Sequence, residues 1–251
     1  MNHNVVIFSG GMDSFTLLYL LAQHKHKASI ATLSFMYGQR HVREIEATKQ
    51  AISFLYTKFP AVPISSHLVD LRTAFNQHAN TSALTGAAAI PEGHYAAETM
   101  RKTVVPGRNT IMLAHAMGFA EALAKQWGHK ELVVSYGAHA GDHHIYPDCR
   151  PEFIAAMGTL YEAATEGVVK LSAPFGQLSK GEVLAWGLEA GLTAEDYANT
   201  WTCYVGGQHP CGKCGACVER AEAFDSCGAV DPLVTAAIAS GIDWKAHIGA
   251  V

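Results

Sequence analysis

The sequence predicts an α/β protein with a doubly wound, mostly parallel sheet. Short apolar, β-branched segments alternate with segments of helical periodicity over residues 5–191. This alternation is typical of βαβ units, whose helices cover both faces of a parallel sheet. The 251 residues, of which 49% are hydrophobic, also suffice for one large domain with a sizeable core. We therefore expect a Rossmann-like α/β domain over residues 1–195 and a smaller helical subregion over residues 196–251 packed on it.

The first half of the chain contains three predicted strands and two predicted helices. The strands are short apolar runs, whereas the helices carry apolar residues at spacings of three and four. Pro60 ends the second helix, because proline cannot continue a helix without losing a hydrogen bond. In chain order, we predict a strand at 5–8, a helix at 13–24, a strand at 28–38, a helix at 41–59 and a strand at 64–71.

The second half begins with a long segment that is rich in Ala, Thr and Gly, residues 76–107. Loops of this length within a compact domain are usually functional or mobile. The last helix has Ser179 as its predicted N-cap and Gly191 as its predicted C-cap. The elements that follow the loop are a helix at 109–127, a strand at 131–137, a helix at 151–167 starting at Pro151, a strand at 168–174 and a helix at 179–191.

Charge and hydropathy restrict the classes of partner. The formal net charge is −4, which gives no support to a broad nucleic-acid surface, since such surfaces are usually basic. Gly, His or charged residues interrupt every apolar stretch before it reaches membrane-spanning length. The first residues lack the basic and apolar pattern of a secretory signal. We therefore expect a cytoplasmic protein that binds neither nucleic acid nor membrane.

The segment VVIFSGGMDS, residues 5–14, combines a strand with an anion-binding turn. In a parallel sheet, ligands bind beyond the carboxyl ends of the strands, where Ser9 and the two following glycines lie. Glycines let backbone N–H groups approach an anion, and the next helix directs its positive end to the same place. Ser14 adds a hydroxyl, and Asp13 can cap the helix or hold Mg²⁺. This pattern predicts a polyphosphate site.

The same hexapeptide resembles the loop of the PP-loop ATP pyrophosphatases. It is neither a Walker-type loop nor a G-x-G-x-x-G turn. The resemblance implies a PP-loop nucleotide-binding domain of the adenine nucleotide alpha hydrolase type, which cleaves ATP between its α- and β-phosphates and adenylates a substrate oxygen. Phe15 departs from the pattern, since many members carry Ser or Thr there. The implied ATP-binding residues are Phe8, Ser9, Gly10, Gly11, Met12, Asp13, Ser14, Phe15, Thr16, Leu17 and Leu18.

Four of the six cysteines lie within fifteen residues, which indicates a metal site. Gaps of two residues bring thiolates onto one ion, and four thiolates suit a closed, structural Zn²⁺ site. An Fe–S cluster is the alternative, because it also accepts four cysteines. His209 lies among them and is interpreted as a loop residue. The predicted ligands are Cys203, Cys211, Cys214 and Cys217.

Five further motifs, in this order over nearly the whole chain, resemble the 7-cyano-7-deazaguanine synthase family of queuosine and archaeosine precursor biosynthesis. Four of them follow a predicted strand or begin a predicted helix. They are YGQRH (37–41), VPGRN (105–109), YPDCRPEF (146–153), LSKGEV (178–183) and TWTCY with CGKCGAC (200–204 and 211–217).

That resemblance implies an ATP-dependent ligase acting on 7-carboxy-7-deazaguanine and ammonia. The substrate carboxylate would attack the α-phosphate of ATP, ammonia would displace AMP to form the amide, and a second ATP would convert the amide to the nitrile. Mg²⁺ would accompany ATP, and a homodimer is expected. The sequence leaves no room for a glutaminase domain, so ammonia would arrive free or from a partner.

The resemblance also implies roles for individual residues. Asp13, Lys180 and Arg108 would be catalytic, since each stands at a predicted helix start on the ligand side of the sheet. The predicted substrate-binding residues are Arg40, Asp148 and Arg150. A histidine-rich segment with an acidic residue, His139, Asp142, His143 and His144, is interpreted as a polar loop near the substrate rather than a second metal site.

Three alternatives stay open at the level of sequence. The reaction could stop at 7-amido-7-deazaguanine, because no motif encodes the second adenylation. A PP-loop tRNA-thiolating enzyme also pairs this loop with cysteines, although it needs a basic RNA surface. A zinc-ribbon binding module on an inert scaffold is the third alternative, and the intact SGGMDS loop argues against it.

Overall fold

The computed structural model describes residues 3–24, 29–40, 43–76, 81–129 and 131–244. Within them, five parallel strands form one sheet in the order β3-β2-β1-β4-β5. The strands are β1 (His3–Ile7), β2 (Ile30–Met36), β3 (Ile64–Asp70), β4 (Leu132–Ser135) and β5 (Val169–Ser172).

The first strand lies at the centre of the sheet. Its Val6 pairs with Thr32 of β2 on one side and with Ser135 of β4 on the other. The chain first winds outwards from β1 to β3 and then returns to place β4 beside β1. The strand order therefore reverses next to β1, and in such sheets the ligand crevice opens beyond the carboxyl ends of the strands at this point.

Helices cover both faces of the sheet, which confirms the predicted doubly wound α/β class. The α-helices are α1 (Met12–His24), α2 (Arg43–Lys58), α3 (Arg72–Phe75), α4 (Arg108–Trp127), α5 (Pro151–Ala164), α6 (Lys180–Glu189), α7 (Gly215–Ser226) and α8 (Pro232–Ala239). Because successive side chains of β1 point to opposite faces of the sheet, Val6 packs in one apolar core with α1, α2 and α6, and Val5 packs in the other with α4 and α5.

Most predicted elements agree with the structure to within a few residues, and the differences lie at ends and in the long loop. The segment predicted as a loop over 76–107 contains a 3₁₀ helix at Glu98–Thr103, while residues 77–80 lie outside the described part. The predicted start of the second helix at residues 41 and 42 also lies outside it.

Both ends of α6 follow from local backbone chemistry. Ser179 Oγ accepts a hydrogen bond from the Glu182 amide at 3.2 Å, and the Glu182 carboxylate accepts one from the Ser179 amide at 2.7 Å. This capping box confirms the predicted N-cap. The predicted C-cap was wrong by one residue: Ala190 is the C-cap, and Gly191 follows it with φ of +102°, a conformation that glycine adopts without strain.

Within residues 196–251, a buried ion pair links α7 to the segment that precedes α8. Arg220 of α7 donates to both carboxylate oxygens of Asp231 at 2.6 and 3.0 Å, and both side chains are 2% exposed. Arg220 also donates to Thr200 Oγ1, to Thr202 Oγ1 and to the Tyr197 carbonyl, so all five guanidinium protons are used. Asp231 in turn caps α8 by accepting from the Leu233 amide.

Of the helices that the structure describes, none combines the length and apolar character needed to cross a membrane.

We predict that Gly187→Ala destabilises the protein by about 1–3 kcal/mol, the usual cost of overpacking a core. A Cβ at this position would overlap the Tyr197 hydroxyl and would lie 3.1 Å from Thr16 Cγ2, where α6 contacts α1. Urea denaturation followed by circular dichroism measures the free energy of unfolding.

The matched control is Gly158→Ala in α5, where a Cβ would meet no atom within 4 Å. Because alanine favours a helix over glycine, this variant should be more stable by about 0.5–1 kcal/mol. Equal effects of the two substitutions would contradict the packing described for α6.

Candidate active site and metal centre

A cavity of about 220 Å³ opens at the carboxyl end of the sheet, where the strand order reverses. The ends of β1 and β2, the loop after β4, the starts of α2, α4 and α6, and the C-terminal subregion all contribute walls. Its polar lining includes Ser9, Asp13, Ser14, Glu44, Arg108, His139, Asp142, Lys180 and Glu219.

The turn after β1 is held by short hydrogen bonds among its own atoms. Ser14 Oγ donates to the Gly11 carbonyl at 3.1 Å, and Ser9 Oγ lies 3.2 Å from Ser14 Oγ. Gly10 has φ of +82°, and a Cβ there would stand 2.5 Å from the Glu44 carbonyl oxygen. Glycine is therefore required at this position both for its backbone conformation and for the close approach of α2.

Five of the eleven residues predicted to bind ATP line this cavity, and the other six are buried around the turn. The lining residues are Phe8, Ser9, Gly11, Asp13 and Ser14. The buried ones are Gly10, Met12, Phe15, Thr16, Leu17 and Leu18. Phe15, which departs from the family pattern, packs on the rings of Phe54 and Tyr197 with centroids 5.7 and 5.6 Å away. It thus anchors α1 in the core instead of facing the cavity.

A buried lysine organises the charges beside the turn. Lys180 Nζ donates to Glu219 Oε2 at 2.6 Å and lies 3.5 Å from Asp13 Oδ2. Burial by itself lowers the pKa of Lys180, but the carboxylates of Asp13 and Glu219 outweigh it and raise that pKa well above its ordinary value. The ammonium group therefore stays charged although the side chain is only 7% exposed.

Asp13 keeps one carboxylate oxygen free for a ligand. Its Oδ1 is buried and has no hydrogen-bond partner among the residues that the structure describes. A buried acceptor without a partner is costly unless a ligand satisfies it. Oxygen is the ligand that Mg²⁺ prefers, so this atom fits a magnesium ion that accompanies a polyphosphate.

The ring of His139 lies close to the carboxylates of Asp13, Asp142 and Glu219. Its Nδ1 accepts a hydrogen bond from the Gly141 amide at 3.1 Å, so Nε2 carries the ring proton in the neutral form. Nε2 lies 3.6 Å from Asp142 Oδ2 and 3.8 Å from both Asp13 Oδ2 and Glu219 Oε1. The side chain is 2% exposed, so its position is fixed by packing.

Aromatic rings and an unpaired arginine form the opposite wall. The Arg108 guanidinium lies 5.8 Å from the ring centre of Tyr37 and 5.9 Å from that of Tyr146. Among the described residues, no carboxylate lies within ion-pair distance of it. Arg108 is also the first residue of the 20-residue helix α4, whose positive end favours an anion.

Burial shifts the pKa values of several ionisable groups on this wall, Glu44 and Cys149 among them. Burial raises the pKa of Glu44 to about 7, and the charge of Arg108 opposes that rise. Burial likewise raises the pKa of the Cys149 thiol, which lies 3.4 Å from both the Tyr136 hydroxyl and Asn109 Nδ2. Cys149 therefore stays protonated and is a poor nucleophile.

The three residues predicted to bind the substrate lie outside the lining of this cavity. Arg40 Nη1 donates to the Ala88 carbonyl at 2.8 Å, and Arg150 Nε donates to the His143 carbonyl at 2.9 Å. Asp148 Oδ2 accepts from the amide of Asn109 at 3.3 Å. Their described polar contacts thus go to the protein itself and brace the loops around the cavity.

The four cysteines come together as a compact candidate metal centre. Their sulfur atoms all lie within 4.8 Å of one another, and Cys211 Sγ is 3.9 Å from Cys217 Sγ. Sulfurs bound to one Zn²⁺ in a tetrahedron stand about 3.8 Å apart, given Zn–S bonds of about 2.3 Å. Backbone amides also point at the sulfurs: Cys211 N donates to Cys203 Sγ and Cys214 N donates to Cys211 Sγ. These donors stabilise thiolates, so the set fits a structural metal ion.

The metal centre and the cavity share one helix. Cys214 is the N-cap of α7 and Cys217 lies in its first turn. Glu219, two residues later, faces the cavity and binds Lys180. Sequence reasoning missed Glu219, because a single acidic residue in a helix carries no motif of its own. It also missed Glu44, for the same reason.

Comparison with known proteins agrees with the five motifs. Residues 3–228 match the family described as Queuosine biosynthesis protein QueC. The 7-cyano-7-deazaguanine synthase of Marinomonas sp. (strain MWYL1) is 47% identical over 229 residues, which cover 91% of this chain and 96% of that protein. The synthase of Hahella chejuensis is 46% identical over 240 residues, which cover 96% of each chain. That of Marinobacter nauticus is 46% identical over 229 residues, with coverage of 91% and 95%. The chain belongs to the Queuosine biosynthesis protein QueC family.

Proposed function

We propose that this chain is an ATP-dependent carbon–nitrogen ligase that converts 7-carboxy-7-deazaguanine and ammonia to 7-cyano-7-deazaguanine. Relatives that match it over more than nine-tenths of its length are named 7-cyano-7-deazaguanine synthase. The observation that carries the proposal is the turn after β1, where Lys180, two serine hydroxyls and the free Asp13 Oδ1 meet at the ligand side of the sheet.

The polyphosphate of ATP would lie in this turn. Backbone amides at the start of α1 and the hydroxyl of Ser9 would donate to phosphate oxygens, and Ser14 would do so once its hydroxyl turns from the Gly11 carbonyl. Asp13 would hold Mg²⁺, which when bound neutralises phosphate charge and polarises the phosphorus. Lys180 would stabilise the charge that develops as pyrophosphate leaves, since its ammonium group is buried and already charged.

The acid substrate would lie against the opposite wall. Arg108, at the start of α4 and free of a carboxylate partner among the described residues, would hold the carboxylate that reacts. The rings of Tyr37, Tyr136 and Tyr146 would contact the flat heterocycle. Glu44 would accept hydrogen bonds from its N–H groups. Arg40, Asp148 and Arg150 stay predicted substrate residues and would act from behind this lining.

The reaction follows from the weakness of a carboxylate as an electrophile. A carboxylate oxygen attacks the α-phosphorus, and pyrophosphate leaves. Ammonia then attacks the acyl carbon, AMP leaves, and the amide forms. In the second round the amide oxygen attacks the α-phosphorus of another ATP and pyrophosphate leaves. The nitrogen then loses both of its protons, the C–O bond to AMP breaks with its electron pair leaving on the phosphate oxygen, and the nitrile forms. Arg108 and Lys180 would stabilise the charges that move in both rounds.

The metal centre and the assembly belong to the same proposal. Cys203, Cys211, Cys214 and Cys217 would bind one structural Zn²⁺, which contributes to folding and has no free position for catalysis. Residues 196–251 would form a subregion held on the nucleotide-binding domain of residues 1–195. We also propose a homodimer without nucleic-acid or membrane partners.

Mass spectrometry of the products tests the function directly. The protein is incubated with 7-carboxy-7-deazaguanine, ATP, Mg²⁺ and ammonium, and AMP is quantified in parallel. The nitrile mass with two AMP per product is the expected result. The amide mass alone would replace the proposal by the shorter reaction, and no AMP at all would overturn the ligase.

We predict that Asp13→Asn lowers AMP formation by about 10² or more, because the amide can neither hold Mg²⁺ with full charge nor pair with Lys180. Metal content should stay at the wild-type level. The matched control is Asp225→Asn on the exposed side of α7, which makes the same charge change. If Asp13→Asn formed AMP as fast as the control Asp225→Asn, Asp13 would have no part in catalysis.

We predict that Cys217→Ser lowers both metal content and ligase activity, because the metal positions the first turn of α7 and hence Glu219. Elemental analysis should find one zinc per wild-type chain and neither iron nor sulfide. Cys227→Ser, outside the cluster, is the control that should keep both properties. Iron with sulfide would instead favour a tRNA-thiolating enzyme.

A further inference from the structure

A second, smaller cavity adjoins the main one. Its volume is about 20 Å³, room for one molecule of the size of water or ammonia. It lies between the 3₁₀ turn at Ala140–His144 and the start of α7. Five residues line both cavities and so form a shared wall: Asp142, Tyr146, Tyr204, Ala216 and Glu219.

The hydroxyl groups of Thr103, Tyr146 and Tyr204 beside the small cavity form a chain of hydrogen bonds, and the donor in each bond can be identified. Thr103 Oγ1 donates to the Met100 carbonyl at 2.7 Å, since a carbonyl can only accept. The Tyr146 hydroxyl, 2.6 Å away, must therefore donate to Thr103. Its proton is then used, so the Tyr204 hydroxyl, 3.2 Å from that of Tyr146, donates to it. All three hydroxyl protons are thus used within the chain, and the Tyr204 oxygen keeps its lone pairs for a ligand.

The other polar side chains of the cavity are acceptors too. Asp142 and Glu219 present carboxylates, and the Tyr95 hydroxyl is hydrogen-bonded to the carboxylate of Glu222. Lys180, which offsets the charge of Glu219, lines the main cavity and not the small one. The small cavity is therefore negative and offers its ligand acceptors without side-chain donors. A ligand with several N–H donors, a positive charge and the size of water meets these conditions.

We infer that the small cavity binds ammonium and delivers ammonia to the acyl adenylate in the main cavity. This inference rests on the proposed function and names the place of its second substrate. Water fits less well, because its own lone pairs find no side-chain donor there. An amine larger than ammonia would exceed the cavity volume of about 20 Å³.

The chemistry requires only groups on the shared wall. Ammonium gives one proton to Asp142, and the nitrogen lone pair that this releases forms the bond to the acyl carbon. The C–O bond to AMP breaks, and its electron pair leaves with the phosphate oxygen. The nitrogen then loses a second proton, which the departing AMP phosphate or solvent accepts. Glu219 stays paired with Lys180 and contributes charge.

Kinetics with two nucleophiles test the inference. Asp142→Asn and Tyr204→Phe are compared with the control Asp225→Asn. Amide formation is measured against ammonium and, in parallel, hydroxamate formation against hydroxylamine, which is uncharged at neutral pH. Acid-dependent exchange of labelled pyrophosphate into ATP, without any nucleophile, reports the adenylation step and the integrity of the fold.

We expect Asp142→Asn to raise the KM for ammonium about tenfold or more, because a hydrogen bond between charged groups is lost. Tyr204→Phe should raise it less, since it removes a neutral acceptor. The KM for hydroxylamine should change far less than that for ammonium, and pyrophosphate exchange should persist.

Three results would overturn the inference. In the first, Asp142→Asn and Tyr204→Phe both have the control's KM for ammonium. In the second, the KM values for ammonium and for hydroxylamine rise by the same factor. In the third, pyrophosphate exchange disappears in Asp142→Asn. The failure of the proposed function looks different, since wild-type protein would then show no acid-dependent exchange, and the ammonium site would be abandoned with it.

Discussion

The buried ammonium group of Lys180 joins three parts of the chain that are far apart in sequence. It stands at the start of α6, contacts Asp13 at the start of α1 and binds Glu219 in α7. A lysine that is 7% exposed stays charged only because these two carboxylates compensate for its lost hydration. Removal of either partner would leave an uncompensated charge in the wall of the cavity. The turn after β1, the α6 helix and the C-terminal subregion therefore depend on one another for their positions.

This dependence gives the metal centre a role in the site although it stands apart from the reacting atoms. The cysteines hold the first turn of α7, and the same helix carries Glu219 towards Lys180 and Arg220 towards Asp231. Trp201 and Trp244 belong to the same buried apolar cluster as three of these cysteines. Under the proposed function, metal–thiolate bonds would add to this packing and would help to hold Glu219 within hydrogen-bond distance of Lys180.

The main cavity divides into two halves of opposite chemistry. Around the β1 turn, the two carboxylates of Asp13 and Glu219 outnumber the single ammonium group of Lys180, which suits a metal-bound polyphosphate. Across from it, Arg108 lies between aromatic rings at the positive end of α4, which suits a flat molecule with a carboxylate. The small cavity opens on the shared wall between them. Under the proposed function, an acid oxygen and the α-phosphorus would meet beside the small cavity, which would hold the nitrogen nucleophile.

The sequence by itself determined the features that depend on neighbours along the chain. Periodicity revealed the five strands and their alternation with helices, and local spacing revealed the glycine turn after β1 and the four clustered cysteines. The capping box of α6 is equally local, because its bonds join Ser179 to Glu182.

The tertiary structure decided which distant side chains meet. Asp13 at the start of α1, His139 after β4 and Glu219 in α7 are each more than seventy positions from the other two in sequence. The strand order brings the ends of β1 and β4 to one edge of the sheet, and the packing of α7 adds Glu219 there. Burial decided the rest: it directed Phe15 into the core, left Asp13 Oδ1 without a partner and set the pKa of Glu44. Desolvation and ion pairing depend on distances through space, so no reading of adjacent residues contains them.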